Sequence, residues 1–126
     1  MLSKYSFKME QRQRWFDHTR VLITTTDDRG SIQLNLYDTE QEFGGTAAIY
    51  ALWVDPQFRR NGYAKTLLRR AEEIALISGH TSVYMEWELR ETPREVLDWY
   101  LSCGYKVREE YVAGENILLE KKLITE

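Results

Sequence analysis

Apolar residues follow two different spacings along this chain, and each spacing predicts one type of element. In the first half they alternate with polar residues or form β-branched runs, which is typical of strands. The strands predicted there cover residues 5–9, 21–26, 32–36 and 46–54. The turn sequence at 27–30 makes a hairpin of the second and third strands, whereas residues 10–19 are compatible with a strand, irregular chain or a short helix.

The predicted strand at 46–54 is apolar on both of its faces, which predicts a central strand that is covered on both sides. Apolar residues then change to steps of three and four, which predicts a helix over 62–78. Gly79 follows this helix directly, in the position where a glycine commonly ends one.

The last third of the chain repeats the change from strand to helix and then ends in strands. Residues 82–89 predict a strand, and Thr92-Pro93-Arg94-Glu95 has the sequence of a capping box with proline at the first helical position. This second helix stops at Gly104, and residues 105–123 predict another hairpin. A strand–helix–strand crossover implies a parallel pair in the middle, so we predict an α+β or α/β layer structure with a mixed sheet.

Composition limits the class of protein. The chain has 126 residues, of which 43% are hydrophobic and 29% charged, so we predict a single soluble globular domain over residues 1–126. The net charge of −3 argues against general binding of nucleic acid. No apolar run approaches the roughly 20 residues that span a bilayer, and the N-terminus lacks the apolar core of a signal peptide. We therefore expect a cytoplasmic protein that does not bind membranes.

The segment from Leu52 to Ala64 carries the strongest chemical signal. An apolar strand ends at Asp55-Pro56, a short basic loop with Gly62 follows, and a helix begins. This order directs backbone N–H groups and the positive end of a helix dipole at one point, where an anion can sit. The cations nearby, with no acidic residue among them, are Arg59, Arg60, Lys65, Arg69 and Arg70. A multiply phosphorylated ligand would explain both features; the alternative is a sterically required glycine beside solvated arginines.

Two motifs resemble those of the GNAT N-acetyltransferase superfamily. Arg59-Arg60-Asn61-Gly62-Tyr63-Ala64 resembles the acetyl-CoA loop of that family, Gln/Arg-x-x-Gly-x-Gly/Ala, and follows a strand that ends like the family's Val-x-Pro. Tyr100-Leu101-Ser102-Cys103-Gly104-Tyr105 resembles the family's Tyr-x-x-x-Gly-Phe/Tyr signature on a later helix. The resemblance covers residues 46–123 and does not clearly cover the first forty residues. It implies a mixed, mostly antiparallel sheet with a central, splayed parallel strand pair.

The resemblance also implies acetyl-CoA as co-substrate, with no metal. Its pyrophosphate would lie on the main-chain N–H groups of residues 60–64, with Arg59, Lys65 and Arg69 neutralising phosphate charge. Its pantetheine arm would pair with the open edge of the central strand, and its thioester would lie between the splayed strands. The cofactor-binding residues implied in this way are Leu52, Trp53, Val54, Arg59, Arg60, Asn61, Gly62, Tyr63, Ala64 and Lys65.

Candidate catalytic residues follow from the same resemblance. Tyr100 is the candidate general acid for the leaving thiolate, and the alternative is a tyrosine that only packs on the apolar face of its helix. Many family members carry a Glu or His on the central strand as general base, where this chain has Ala48 and Tyr50. Glu86 or Glu88 on the following strand could take that role, directly or through water. The alternatives are ordinary solvent-face carboxylates and an acceptor that arrives as a neutral amine.

The chain also departs from the family pattern. Pro93 stands where the family often has an asparagine that contacts the cofactor. One or two helices usually follow the first strand and help to form the acceptor pocket, but residues 5–21 leave little room for them. The acceptor side is therefore expected to be open or completed by another chain, in a monomer or a homodimer. Trp15 and Phe16 are predicted to be core residues or a wall of the acceptor site.

The remaining reactive side chains are isolated in sequence. His18 and His80 have no second ligand at metal spacing, so we expect no zinc site. Cys103 is predicted to be a buried, inert thiol. Together these features favour an N-acetyltransferase that acts on a primary amine of a small molecule or peptide. The alternatives are a non-catalytic acyl-CoA-binding or partner-binding domain on the same scaffold, and an interaction module that binds no coenzyme A.

Overall fold

Seven strands form one mixed sheet in the computed structural model of the chain, which describes residues 7–88, 93–113 and 116–123. The strands are β1 (Phe7–Arg14), β2 (His18–Thr25), β3 (Gly30–Tyr37), β4 (Ala47–Val54), β5 (Ser82–Glu88), β6 (Lys106–Ala113) and β7 (Asn116–Lys122). The helices are α1 (Tyr63–Ile77) and α2 (Arg94–Ser102), and a short 3-10 turn covers Pro56–Phe58. The predicted order of strands and helices is confirmed, although the turn between β6 and β7 lies outside the described residues.

The strand order in the sheet is β1-β2-β3-β4-β5-β7-β6. Every neighbouring pair is antiparallel except β4 and β5, which are parallel. This arrangement confirms the predicted crossover and the mostly antiparallel sheet with a central parallel pair. In this arrangement α1 connects the parallel strands β4 and β5, and α2 leads from β5 to the edge strand β6.

Both helices pack on the same face of the sheet. The buried stripe of α1 lies against the inner side chains of β2, β3, β5 and β7, and Leu97 of α2 joins the same cluster. The central residues of this cluster are Val21, Ile23, Ile32, Leu34, Leu67, Ala71, Val83 and Leu119. Among the residues that the structure describes, no helix covers the opposite face, which we call the helix-free face.

The ends of α1 follow the sequence prediction, whereas the start of α2 does not. Gly62 is the N-cap of α1, and Gly79, with φ of 96°, follows its last turn. The N–H groups of Gly79 and His80 donate to the carbonyls of Leu76 and Ala75, which is the Schellman arrangement. Instead of a capping box with proline at the first helical position, α2 begins at Arg94 with the extended Pro93 as its N-cap. Thr92 of the predicted capping box lies outside the described residues.

The N-terminal region is a hairpin. Of the alternatives for residues 10–19, a strand is correct, because β1 continues to Arg14 and β2 begins at His18 after a short turn. The N–H of Trp15 donates to the carbonyl of His18 across that turn (2.8 Å). Trp15 is 43% exposed and Phe16 is fully exposed. The prediction that they belong to the core is therefore wrong, since both stand on a turn at the edge of the sheet.

Strand β4 is covered on both sides only in part, so that prediction is wrong for its second half. Its buried residues are Ala47, Ala48, Ile49 and Val54. By contrast, Tyr50, Ala51 and Trp53 are exposed. An apolar sequence alone did not reveal that the strand loses its neighbour halfway along.

The strands β4 and β5 separate soon after they meet. Their only Cα partners are Ala48 and Tyr84. Ala51 has a left-handed φ of 51°, and the register between β4 and β3 shifts beside it. Such a bulge bends its strand and increases its twist, so the end of β4 turns away from β5. The predicted splayed pair is confirmed, and its opening positions the candidate site.

Candidate active site

A cavity of about 450 Å³ lies where the end of β4, the start of α1 and the helix α2 meet. Its lining residues are Val54, Arg59, Arg60, Gly62, Ala64, Lys65, Glu95, Val96 and Trp99. Six of the ten residues predicted to bind cofactor are therefore brought together here. The lining also contains three positive side chains and one carboxylate, so the cavity favours a negatively charged ligand.

The main chain of the loop faces this cavity at the beginning of α1. Arg60 and Gly62 have left-handed φ angles of 68° and 85°, which turn the chain sharply before the helix. The N–H of Thr66 donates to the carbonyl of Gly62 (3.0 Å), which is the first turn of helical bonding. The N–H groups of Ala64 and Lys65 precede that bond and are directed outward from the helix N-terminus. Together with the helix dipole they form an anion-binding end.

Side chains on both sides of the loop hold its position. Arg59 donates from Nε to the carbonyl of Val54 (3.1 Å), so the loop is tied back to the end of β4. Arg29 pairs with Asp55 (3.2 Å between the nitrogen and the oxygen), and its guanidinium lies 4.2 Å from the ring centre of Phe58. The position of the loop is therefore fixed by contacts to the β2–β3 turn and to the end of β4 as well as by its own turn.

Tyr63 has a structural role through its side chain. It is buried, and its hydroxyl donates to Oδ2 of Asp27 in the β2–β3 turn (2.5 Å). Burial opposes the ionisation of Asp27, but hydrogen bonds from Tyr63, Thr25 and Arg29 outweigh it and lower the pKa of Asp27. Only the main chain of Tyr63 is therefore available to the loop's ligand.

Four of the five cations of the basic segment line cavities. Arg59, Arg60 and Lys65 line the large cavity, and Lys65 also borders a cavity of about 120 Å³ with Arg69 and Cys103. Cys103 is partly buried beside these cations.

Arg70 does not belong to the site, which corrects its place in the predicted cluster. Its Nε and second terminal nitrogen donate to Glu10 of β1 (2.5 and 2.8 Å), and it also pairs with Glu73. The hydrogen bonds from Arg70 lower the pKa of Glu10. This ion pair fastens β1 to α1.

The other predicted cofactor-binding residues lie around the cavity rather than in its lining. Leu52 is half-buried against the core, and Trp53 is nearly half exposed. Asn61 is exposed on the loop. Leu52 and Trp53 belong to the part of β4 that has separated from β5, so their main chain borders the opening.

Tyr100 lies on α2 beside the cavity. Its ring meets Trp99, which lines the cavity, at 5.0 Å and Tyr105 at 6.0 Å, both edge-to-face. Burial raises the pKa of Tyr100 to about 12. The ring therefore packs among aromatic neighbours beside the cavity, and the role of Tyr100 as general acid stays a prediction.

Tyr105 lies at the other end of the same motif, and its hydroxyl is hydrogen-bonded within the protein. Its hydroxyl donates to Oε2 of the buried Glu72 (2.8 Å), and Lys121 donates to the other carboxylate oxygen (3.0 Å). Burial, and then the charge of Glu72, raise the pKa of Tyr105. The two tyrosines therefore differ in their hydroxyl environment even though one motif contains both.

A row of polar side chains approaches the opening on the helix-free face. Gln33 donates to Asn35 (3.2 Å), and Asn35 donates to the hydroxyl of Tyr37 (3.3 Å). Tyr50 follows this row on β4, and burial, its hydrogen bond with Tyr37 and the charge of Glu86 raise its pKa. Glu86 is exposed on β5. The side chain of the second predicted base, Glu88, lies outside the described side chains.

Two sets of residues at this site were not predicted from the sequence. Glu95, Val96 and Trp99 line the cavity, but on an amphipathic helix their apolar members were indistinguishable from core positions. The row Gln33, Asn35 and Tyr37 was missed because its polar positions on β3 predicted only a solvent face. The signal that could have found them is their alternation with Ile32 and Leu34, which places all three on one face of a central strand.

Within residues 7–88, 93–113 and 116–123, no group of three or more His, Cys, Asp or Glu side chains is arranged to hold a metal ion. The same part of the chain contains no helix of the length and apolar character that crossing a bilayer requires.

Comparison with solved structures finds the same fold in several acetyltransferases. A GNAT-family protein from Desulfovibrio desulfuricans superposes with a TM-score of 0.67 at 18% identity, over 86% of this chain and 71% of that one. The PaiA N-acetyltransferase of Thermoplasma acidophilum, solved in complex with coenzyme A, gives 0.65 at 21% identity, over 84% and 61%. A GNAT acetyltransferase from Staphylococcus aureus gives 0.64 at 16% identity, over 85% and 68%.

At these identities the likeness is one of fold, and no curated protein matches the chain. The model of the acetyltransferase (GNAT) family matches residues 2–105. This match includes the first forty residues, which the motif resemblance had left out, so the N-terminal hairpin is part of the family domain. The match covers most of the chain and both motifs up to Tyr105. The chain therefore belongs to the acetyltransferase (GNAT) family.

Proposed function

We propose that the protein transfers the acetyl group of acetyl-CoA directly to a primary amine of a small molecule or peptide. The observation that carries this proposal is the 450 Å³ cavity, where main-chain amides at the start of α1, three cations and the open end of β4 converge. Membership of an acetyltransferase family supports an acyl-transfer reaction. The nature of the acyl donor and of the acceptor is our inference.

The residues present fit the donor's diphosphate. Amides at a helix N-terminus bind phosphate oxygens without a side chain, and Arg59 and Lys65 add charge from both sides of Gly62. Gly62 has no Cβ, so a diphosphate can approach its backbone closely. The pantetheine arm would follow the separated edge of β4 at Leu52 and Trp53, which brings the thioester between β4 and β5.

The reaction then needs positioning and two proton movements. The amine nitrogen attacks the thioester carbonyl carbon, a C–N bond forms, and the C–S bond breaks. Tyr100 donates its proton to the departing sulfur, and the proton lost by nitrogen passes to Glu86 or to water beside it. Well-oriented reactants gain an effective molarity on the order of 10⁵ M or more, and each proton transfer typically contributes about 10²-fold or more.

The proposal is tested by turnover. Purified protein is incubated with acetyl-CoA and a panel of primary amines, and free thiol and acetylated amine are both measured. Calorimetry with coenzyme A alone provides the matching binding measurement. We expect coenzyme A to bind with 1:1 stoichiometry and at least one amine to be acetylated with equimolar thiol release.

Two outcomes would contradict the proposal. Binding of coenzyme A without acetylation of any amine would identify a non-catalytic acyl-CoA-binding domain. No binding of coenzyme A would identify an interaction module on the same scaffold, and would also refute the assignment of the loop at 59–65.

A further inference from the structure

A second cavity, of about 430 Å³, lies on the helix-free face over β1, β2 and β3. Its lining residues are Gln11, Arg12, Gln13, Arg20, Leu22 and Gln33. Five of these six side chains carry N–H donors, and none is acidic. We call this cavity the glutamine–arginine groove.

The strand register places this groove on the same face as the row that leads to the opening. Gln11, Leu22, Gln33 and Tyr50 are successive partners across β1, β2, β3 and β4. Residues that alternate with them, such as Val21 and Ile32, are buried under α1. The groove therefore ends at Gln33, directly beside Tyr50 at the margin of the β4–β5 opening.

Arg20 is the unusual residue of the groove. Its Nε is buried and has no hydrogen-bond partner among the described residues, and its guanidinium lies 5.0 Å from the ring centre of Trp15. By contrast, the arginines that pair with carboxylates include Arg14, Arg29, Arg70, Arg94 and Arg108. A buried N–H donor without an acceptor costs free energy. The Nε of Arg20 therefore favours a ligand that accepts a hydrogen bond from it.

Contact with Trp15 favours one orientation of the Arg20 guanidinium. Trp15 lies parallel to His18 (7° between rings, 6.2 Å between centres), and His18 packs on Tyr37. Cation–π contact fixes the guanidinium plane over this stack. The charge is therefore pre-oriented in the groove before a ligand arrives, which reduces the entropy that binding would cost.

The groove lies close enough to the β4–β5 opening for one ligand to reach both. Neighbouring strands lie about 4.8 Å apart, so β2 lies about 10 Å from β4 across the sheet, and Arg20 is two residues along from the Leu22 position that faces Gln33. An anion on Arg20 and an amine in the opening would therefore be separated by about 10 to 14 Å. The side chains between them, Gln33 and Asn35, offer amide groups to a polar connecting chain.

We infer that the glutamine–arginine groove binds an anionic group of the acceptor, through the guanidinium of Arg20 and the amides of Gln11, Gln13 and Gln33. The acceptor is then an amine that carries a carboxylate, or an anion of similar geometry, about 10 to 14 Å away. This inference rests on the proposed function. Charge-assisted hydrogen bonds of this kind are stronger than neutral ones, so the acceptor's charge determines its affinity.

The test compares acceptors that differ only in that charge. Extended triglycine and tetraglycine span about 10 and 14 Å, and their C-terminal amides keep the same amine without the carboxylate. Acetyl transfer to each is measured with saturating acetyl-CoA. We expect kcat/KM for the free acids to exceed that for the amides about 10-fold, through KM, with a smaller preference for diglycine, which is too short.

Three variants assign the effect to the groove. Arg20→Gln should reduce the acid-to-amide ratio to about 1, whereas Arg20→Lys should keep part of it. Arg14→Gln is the matched control, because Arg14 lies on the same hairpin but pairs with Asp38 instead of lining the groove, and it should keep the full ratio. Thermal melting of each variant verifies that it is folded.

A binding measurement separates this inference from the proposed function. Triglycine and its amide are titrated without acetyl-CoA while the side-chain resonances of Arg20 and Gln33 are followed by NMR, with glutarate as an anion that has no amine. Selective shifts with triglycine support the groove even if no amine is acetylated. Acetylation with equal kcat/KM for acids and amides overturns the inference and leaves the proposed function intact. Binding of glutarate that does not compete with triglycine overturns it too, because the anion would then be a separate ligand.

Discussion

The two sides of the β4–β5 opening are built in different ways. On the helical side, main-chain amides at Gly62–Lys65 and the cations beside them meet one cavity. On the helix-free side, the groups that approach the opening are side chains from three strands, including Gln33, Tyr50 and Glu86. The helical side therefore suits a ligand of fixed chemistry, and the helix-free side suits a ligand that can differ between related proteins.

This difference follows from sequence distance. The loop and the start of α1 form one continuous segment, so their geometry depends on local turns and on one helix dipole. The polar row on the other side combines residues from β3, β4 and β5, and only the register of the sheet makes them neighbours. If the helix-free side binds the acceptor, as we propose, we expect that substitution of one side chain there changes acceptor choice without disturbing the fold.

The largest expected effect comes from Tyr100, which lies beside the cavity of about 450 Å³. Tyr100→Phe removes the proposed proton donor but keeps the ring that packs on Trp99 and Tyr105. We expect kcat to fall on the order of 100-fold, with little change in the calorimetric affinity for coenzyme A. An unchanged kcat would refute the role of Tyr100 as general acid.

Tyr105→Phe is the matched control for that variant, because the Tyr105 hydroxyl is bound to Glu72. We expect it to lower the melting temperature and to leave kcat within about threefold of wild type, since the loss of one buried hydrogen bond costs about 1 to 3 kcal/mol of folding stability. The opposite result, a stable variant with low kcat, would move the donor role to Tyr105.

The raised pKa of Tyr100 predicts the pH dependence as well. A general acid acts while it is protonated, that is, below its pKa. Burial raises the pKa of Tyr100 to about 12. We therefore expect deprotonation of Tyr100 to lower the rate only above about pH 11. The wild-type rate should therefore rise from pH 6 to pH 9, as the amine deprotonates, and should not fall by pH 10. A fall with a midpoint near pH 10 would indicate a tyrosine with an ordinary pKa.

The next effect tests the helix-free side. Glu86→Gln keeps the size of the side chain but removes the proposed base, so kcat should fall about 10- to 100-fold. Glu88→Gln is its natural comparison, since Glu86 and Glu88 are both candidate bases from the sequence. An equal loss in both variants would point to a general effect of negative charge on the acceptor. A loss in Glu88→Gln alone would assign the role of base to Glu88.

Most of the fold could be predicted from the sequence, because its signals are local. The helix at 62–78, Gly79 at its end and the hairpin turn at 27–30 each depend on a few adjacent residues. One error concerns β4, where the exposure of Tyr50 and Trp53 depends on the separation from β5. No pattern within β4 itself contains that information.

The candidate site divides in the same way. The loop at 59–65 was predicted by its motif, because the turn and the start of α1 lie in one continuous segment. By contrast, Arg70 was predicted in the same cationic group because sequence cannot reveal that Glu10, on a distant strand, binds it. The glutamine–arginine groove was missed for a similar reason, since its residues come from three strands and match no motif.

Lys65 and Arg70 provide the finest test, because they carry the same charge in one basic segment and lie in different surroundings. Lys65→Gln should raise KM for acetyl-CoA about 5- to 10-fold, since one charge-assisted contact to phosphate is worth about 1 to 1.4 kcal/mol, and should weaken the salt dependence of KM. Arg70→Gln should leave KM unchanged and cost about 1 kcal/mol of stability, because its partner Glu10 is only partly buried. If both variants raised KM equally, KM would depend on the overall charge of the segment. The cavity would then be a generally basic surface and not a site in which particular cations bind phosphate.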